Sequence, residues 1–284
     1  MHKILVVLPM FALAACGGGG GSSIPFVSIS SLPANGTTTL SGKAVKANVS
    51  VDTFNRVTVN SVATDTAATA SVTRNAGTNV AISAAANGST ATVDSRAGGT
   101  ISGSGVITGA DASNDTMFVV VDPSALSQNY QNYGFWFENG NSSTPSMSVG
   151  SFGTSAGSIP SSGTASYSGK SIGLYISSAR EQFVTASDVN VSTDFTNVSV
   201  TSTGTNKVNA ITSASSTASN LDFTSTSTVT GTSFAGTVTG GDVSGSINGE
   251  WNAPPTGNNR ALLAPFSFNC SQAASTAGTA PEIT

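Results

Sequence analysis

Cys16 is the first residue whose type and setting specify a chemistry. It follows Leu13-Ala14-Ala15 at the end of a 12-residue apolar run, Ile4 to Ala15, that begins after the basic Lys3. A basic start, a short apolar stretch and small residues before the cut make an export signal. The run falls short of the roughly 20 residues that a bilayer span needs. Small side chains at 14 and 15 fit a signal-peptidase pocket, and the Cys16 thiol is the natural acceptor for a diacylglycerol. The chain is therefore expected to be cut before Cys16 and held to a membrane by lipid, palmitate included. Gly17 stands where an Asp would signal inner-membrane retention. By that analogy the expected address is the outer membrane, on the cell surface or the periplasmic face.

Other residues invite catalytic or ligating readings. Gly153-Thr154-Ser155-Ala156-Gly157 matches Gly-x-Ser-x-Gly, the nucleophile elbow, which needs a histidine base. The one histidine, His2, leaves with the signal, so a Ser-His-Asp triad cannot form within the mature chain. Asp111, Ser113, Asp115 and Asp122 follow calcium-loop spacing, but Thr116 stands where that loop needs Gly, and Asp122 is shorter than the usual Glu. A solvated turn before a strand from Met117 to Val121 is expected there instead. Glu138, Glu181 and Glu250 are carboxylates of the type that pair in glycoside hydrolysis. Tyr130, Tyr133, Tyr167 and Tyr175 could serve as axial haem ligands, although strand tyrosines usually pack. One thiol and no imidazole do not make a zinc site. The expectation is a protein that is not an enzyme and holds no cofactor or metal.

Composition narrows the partners. Charged residues are 8% and hydrophobic residues 38% of the chain, against about a quarter charged in ordinary globular domains. Losing the signal moves the net charge from −4 to −5, and no basic patch is visible. Nucleic acid is excluded as a partner on that ground, as is polybasic attraction to anionic lipid. With Cys16 acylated, Cys270 has no partner for an intramolecular disulfide. Two states remain open to it: a buried thiol acting as a small hydrophobe, or a bond between chains.

The elements that must position these residues are strands. Val45, Ala47, Val49 and Val51 alternate with polar residues, as do Val189, Val191, Thr193 and Phe195, and Ile172, Leu174 and Ile176. Val243, Gly245, Ile247, Gly249 and Trp251 share one face of a strand; Leu262, Ala264, Phe266, Phe268 and Cys270 share a face of another. Period-two alternation broken by Gly, Asn and Asp turns marks an all-β sandwich or barrel. Gly245 and Gly249 would let a closing sheet bend. The expected division is a signal at 1–15, a lipidated cysteine and Gly/Ser tether at 16–23, an N-terminal β domain at 24–122, a β-barrel at 123–270 and a loose tail at 271–284. The boundary is set at Asp122-Pro123, because 24–122 is nearly free of aromatics while Tyr130, Tyr133, Phe135, Trp136 and Phe137 crowd together after it.

The strand Tyr133-Gly134-Phe135-Trp136 precedes a Gly-rich run, Val149-Gly150-Ser151-Phe152-Gly153-Thr154, and then Ile159-Pro160-Ser161-Ser162-Gly163-Thr164-Ala165-Ser166-Tyr167-Ser168-Gly169. This resembles the barrel segment of transferrin-binding-protein-B-like surface lipoproteins. In that family a Tyr-Gly-Tyr/Phe-Trp strand leads to Leu-Pro-x-x-Gly-x-Ala-x-Tyr-x-Gly, with Ile159 here in the Leu position. The resemblance covers roughly residues 128 to 270. It implies a soluble eight-stranded antiparallel β-barrel preceded by a smaller β handle, on a lipid anchor. Family members bind host iron proteins, complement regulators or haem carriers. Asn252-Ala253-Pro254-Pro255 and Leu262-Leu263 depart from the family's acidic Gly-rich ending.

The function expected is binding of a protein or small-molecule ligand through loops on the barrel, including the stretch Asn139 to Met147. Partners implied are that ligand, the membrane through the lipid, and a surface-lipoprotein translocator or TonB-type receptor. The alternative is a structural or adhesive surface coat. Cys16→Ser is predicted to abolish lipid incorporation. The check is labelled palmitate together with detergent-phase partitioning; a mutant that still partitions into detergent like wild type rules out the anchor.

Overall fold

A computed structural model describes residues 36–74, 79–102, 106–121, 131–153, 159–251 and 266–272. Cys16, the signal, the tether, Tyr130 and residues 273–284 of the tail lie outside them; Ser271 and Gln272, expected in the tail, end the last strand. The fold is all-β, with two 3-10 turns of three residues as the helical content among the described residues. The first sheet holds nine strands: β1 (Thr37–Val51), β2 (Val57–Arg74), β3 (Val80–Ala86), β4 (Ser89–Asp94), β5 (Thr100–Ser102), β6 (Val106–Ala110), β7 (Met117–Val121), β8 (Gln131–Glu138) and β9 (Ser146–Gly153). Their order is β4-β3-β2-β1-β9-β8-β7-β6-β5, with β1 in the interior, antiparallel to β2 and β9.

Chain geometry forces this sheet to curl. The outer strands β4 and β5 are joined through a single turn of 3-10 helix, Ser95–Ala97. Nine strands laid flat would put the two edges about 38 Å apart, while the link from Asp94 to Thr100 can span about 20 Å. Gly98 turns the link at φ 83. Side chains from both edges meet inside the curl, where Val93 of β4 and Ile107 of β6 share one core with Leu40, Ala44, Ala68, Ile82, Ala84, Ala86 and Ala91.

Alanines line much of that interior, and β8 and β9 supply the bulk. Trp136 stacks on Phe118 at 6.3 Å between ring centroids and tilts against Phe152 at 6.0 Å. Gly150 makes room: a Cβ there would lie 2.7 Å from the Phe152 ring and 2.9 Å from Trp136. The division expected at Asp122-Pro123 therefore cuts through one sheet. Residues 131–153 pair within the first sheet, because the small-residue strands before them need the aromatic rings of β8 and β9 to close a core.

The second sheet is a meander of β10 (Ala165–Ile176), β11 (Gln182–Thr193), β12 (Asn197–Asn209), β14 (Phe223–Thr230), β15 (Ser233–Gly240), β16 (Ser244–Trp251) and β17 (Phe266–Gln272), with β13 (Ser215–Thr217) paired to β12. The turn expected at Pro160 and Gly163 precedes β10, with Gly163 at φ 106. This sheet also curls into a barrel-like form. Tyr167 of β10 and Trp251 of β16 have ring centroids 5.7 Å apart, where a flat sheet would separate those strands by about 24 Å. Val189, Val191, Val198, Val200, Phe234, Val238, Ile247 and Trp251 fill the curl. Gly249 serves this filling more than bending, since a Cβ there would lie 2.0 Å from the Phe234 ring. Cys270 pairs through the backbone with Ile247; its side chain lies outside the described set.

The two sheets share a third cluster. Val49, Val51, Val57, Val119, Phe135, Phe137 and Met147 of the first sheet pack with Val184 of β11, and Ile172, Leu174 and Ile176 of β10 join them. Strand alternation thus sends Trp136 into the first curl and Phe135 and Phe137 toward the second sheet. Phe135, Trp136 and Phe137 are all at most 3% exposed. Trp136→Ala should cost about 3–5 kcal/mol, and chemical denaturation of the mature chain should show one transition for both sheets. Two resolved transitions, with the mutation moving only one, would contradict the shared core.

Candidate functional site

The catalytic candidates do not converge. Gly153 ends β9, and residues 154–157 of the elbow pattern lie outside the described set. Glu138 points into the first curl, whereas Glu181 sits in the β10–β11 turn. Glu250 falls between Gly249 and Trp251 and so lies on the opposite face of β16 from the buried Trp251. Tyr167 packs on Trp251, and Tyr175 lies 5.9 Å from the Phe183 ring. Asp111 and Asp115 spend their carboxylates on a turn. Asp111 Oδ1 accepts from the Asp115 amide at 2.8 Å and from Ser113 Oγ at 3.1 Å. Asp122 is not among the described residues. No group of three or more His, Cys, Asp or Glu residues suited to a metal occurs among those described.

Glu138 heads a buried polar cluster. Its Oε2 accepts from Lys46 Nζ at 2.9 Å and Ser146 Oγ at 3.1 Å; its Oε1 accepts from Ser89 Oγ at 3.2 Å and Trp136 Nε1 at 3.3 Å. Lys46 also donates to Ser89. Burial pushes the Glu138 carboxyl up, but hydrogen bonds from Lys46, Ser89 and Ser146 and the Lys46 charge outweigh it, so the group sits below its ordinary 4.5. This arrangement braces an end of the first curl. A carboxylate so fully occupied is a poor proton carrier.

A second arrangement faces outward. The β1–β2 turn is organised by Asp52, whose Oδ1 accepts from the Phe54 amide at 2.9 Å and the Arg56 amide at 3.0 Å. Asp52 Oδ2 accepts from Arg56 Nε at 2.8 Å and from Arg180 Nη2, in the β10–β11 turn, at 3.2 Å. The Val57 amide donates to the Arg180 carbonyl at 2.8 Å, so the turns of the two sheets are stitched by backbone as well. Reduced hydration pushes the Asp52 carboxyl up, and the bonds from Arg56 and Phe54 with the Arg56 charge hold it below its ordinary value. Asn55 takes φ 58, which an Asn tolerates in such a turn. The Arg56 guanidinium lies 5.2 Å from the Phe54 ring centroid, and Phe54 is 76% exposed.

Neighbouring turns continue the line. The β8–β9 loop donates from the Gly140 amide to the Asp115 carbonyl at 2.8 Å and from the Asn141 amide to Asp115 Oδ1 at 3.1 Å. On its other side its Ser143 carbonyl accepts from the Val51 amide at 2.9 Å. Beyond β11, the Ala210 amide donates to the Gln182 carbonyl at 2.9 Å, and Asn209 Oδ1 caps the amides of Ile211 and Thr212. Ile211 is 47% exposed. Five turns from both sheets, at 111–116, 139–145, 52–56, 177–181 and 209–214, thus form one bonded surface. It presents amides, hydroxyls, two guanidinium groups and one exposed ring. The stretch expected from sequence, Asn139 to Met147, supplies its exposed part through Asn141, Ser143 and Thr144. Asp52, Phe54, Arg56 and Arg180 were not singled out by sequence. Asp52 followed by Asn55 is a turn signal, but its bond to Arg180 is 128 residues long-range.

No protein-family model matches the chain, and no curated protein sequence does. Among solved structures it is similar to the apo crystal structure of haemoglobin receptor HpuA from Kingella denitrificans, with 14% identity over 88% of this chain and 92% of that one and a TM-score of 0.33. A likeness of that degree carries no argument about a ligand.

Two outcomes follow from the geometry. Because the folded Glu138 carboxyl is more acidic than the free one, its share of stability is present above pH 4.5 and lost as pH falls through the lower folded value. Glu138→Gln should cost roughly 2–3 kcal/mol at neutral pH, discounted for residual exposure. The gap to wild type should narrow in acid melts below pH 4.5; a gap that stays constant down to acid unfolding would contradict the ion pair. Asp52→Asn should speed hydrogen exchange at the Phe54 and Arg56 amides, which NMR can read, and leave exchange in β14 and β15 unchanged.

Proposed function

We propose that this chain is a bacterial lipoprotein, acylated at Cys16 and anchored to the outer membrane, that binds a ligand through the turn surface of its two barrel-like sheets. The observation that carries this reading is the bonded line of five turns drawn from both sheets, which holds Phe54 and Ile211 out in solvent. Exposed aromatic and Arg side chains on a rigid base are the usual anchors of a binding surface. The lipobox-like Leu13-Ala14-Ala15-Cys16 supports the anchor. Absence of histidine from the mature sequence, with Glu138, Glu181 and Glu250 set on separate elements, supports binding without turnover. No described helix is long and apolar enough to cross a membrane.

The coat reading has one observation in its favour. Thr224, Thr226 and Thr228 of β14 and Thr237 and Thr239 of β15 are exposed together on an outer face. Interferometry on immobilised protein from residue 17 onward separates the two readings. The panel is a haem protein, an iron-transport protein and a complement regulator, the classes the resemblance implies. Saturable binding of one partner, weakened at least tenfold by Phe54→Ser or by deleting Gly140 to Pro145, is the expected result. Unsaturable binding to every surface, with self-association, would favour the coat. Hydrolysis of a glycan or ester panel, abolished by changing one carboxylate, would sink the binding-only reading.

A further inference from the structure

We infer that Asn87, at the tip of the β3–β4 hairpin, is a site of spontaneous deamidation, in which its side-chain amide becomes a carboxyl group through a cyclic imide formed with Gly88. The chain carries four Asn-Gly pairs, beginning at Asn35, Asn87, Asn139 and Asn248. In such a pair the backbone nitrogen after the Asn is the nucleophile, and glycine leaves it unshielded by any side chain. What separates the pairs is whether the fold holds that nitrogen still. Asn35 lies outside the described residues, so the comparison runs among the other three.

Ala86 pairs with Ser89, so Asn87 and Gly88 make a two-residue turn. Both have positive φ, 49 and 78, the sense that a type I′ hairpin turn needs and that Asn and Gly tolerate. Both are exposed. Among the described residues no acceptor takes the Gly88 amide, and a Cβ at Gly88 would meet nothing within 4 Å. One hydrogen bond ties down the Asn87 side chain, from Nδ2 to the Ala63 carbonyl at a long 3.3 Å. The other two pairs are restrained. The Gly140 amide donates to the Asp115 carbonyl at 2.8 Å, and Gly140 is buried. Asn248 and Gly249 lie inside β16, paired with β15 on one side and β17 on the other. Gly249 is buried against the Phe234 ring.

The reaction balances with water as the co-reactant. The Gly88 nitrogen loses its proton and bonds to Asn87 Cγ; the Cγ–Nδ2 bond breaks, and Nδ2 leaves as ammonia with that proton. Water then opens the imide. Attack at Cγ gives Asp, and attack at the main-chain carbonyl gives isoaspartate. Neither product suits the turn. The Asn87 backbone amide donates to Asp65 Oδ2 at 2.6 Å, so a carboxylate at 87 arrives beside one already present. The Ala63 carbonyl loses its donor. Isoaspartate adds a methylene to the main chain, which the tight turn does not accommodate. Conversion therefore loosens the hairpin tip from β2. The next residue is Ser89, whose hydroxyl bridges Lys46 and Glu138, so the loosening reaches the buried cluster. The inference does not rest on the binding function proposed above.

For the test, protein from residue 17 onward is aged in mildly alkaline buffer, folded and in urea. Asp and isoaspartate are then counted at each Asn-Gly pair by peptide mapping with mass spectrometry. In the folded chain Asn87 should convert at least about tenfold faster than Asn139 and Asn248, the factor that freeing a buried backbone hydrogen bond costs. In urea the three rates should draw together, because the local chemistry is then the same. Asn87→Gln, whose longer side chain closes a ring far more slowly, should remove most of the acidic species that isoelectric focusing resolves in the aged folded protein. Aged wild type should also exchange the amides of β3 and β4 faster, and Asn87→Asp should reproduce part of that change without ageing. Equal rates at the three pairs in the folded chain, or a lead for Asn139 or Asn248, would overturn the inference.

Discussion

The structure depends on where β8 sends its rings. A strand has two faces, and successive side chains must alternate between them. In β8 both alternations are apolar: Trp136 enters the first curl, while Phe135 and Phe137 enter the cluster shared with β10 and β11. Each large aromatic side chain removes a large apolar area from water. The alanine-lined strands β3 and β4 have no comparable bulk of their own. Without β8 the first sheet would enclose a space its own residues cannot fill, and the second would lose the two largest side chains of its apolar contact with the first. One eight-residue strand thus couples two curled sheets that each also carry other core residues.

Polar interactions are sorted by this packing. Inside the first curl, Glu138 and Lys46 meet near Ser89 and Ser146, and every carboxylate oxygen has donors. In the second sheet several hydroxyls bond one another, as Ser171, Ser187 and Ser202 do across β10, β11 and β12. Exposed charges pair across strands, as Lys170 and Asp188 do, and at the turns, where Asp52 serves Arg56 and Arg180 together. Such exposed ion pairs add little stability individually. At Asp52 their effect is to fix the geometry of two turns, one from each sheet, relative to each other.

Alternation in sequence was enough to place β1, β10, β11 and β16, because a period of two is imposed by each strand locally. The Pro160–Gly163 turn was legible for the same reason, since both residues carry their backbone preference with them. Partner choice was not legible. The aromatic run Tyr133 to Phe137 reads equally well as the first strand of the second sheet or the eighth of the first. What decides is the volume left by alanines some 50 residues earlier, a property of the assembled sheet. The turn surface was half legible: Asn139 to Met147 has loop chemistry on its face, while Asp52 and Arg180 are joined only once both sheets are in place.

The interior position of β1, between β2 and β9, also sets an order of events. It pairs with β9 at Asn48 and Ser146, so the middle of the first sheet cannot form until the chain is complete to residue 153. Contacts this distant in sequence close slowly, because the loop entropy is lost before the contacts repay it. The β2–β3–β4 hairpins are local and can pair early, while the other edge of β1 waits for β9. A chain released before residue 146 would leave that edge of β1 bare, a row of unpaired backbone groups open to a neighbouring chain.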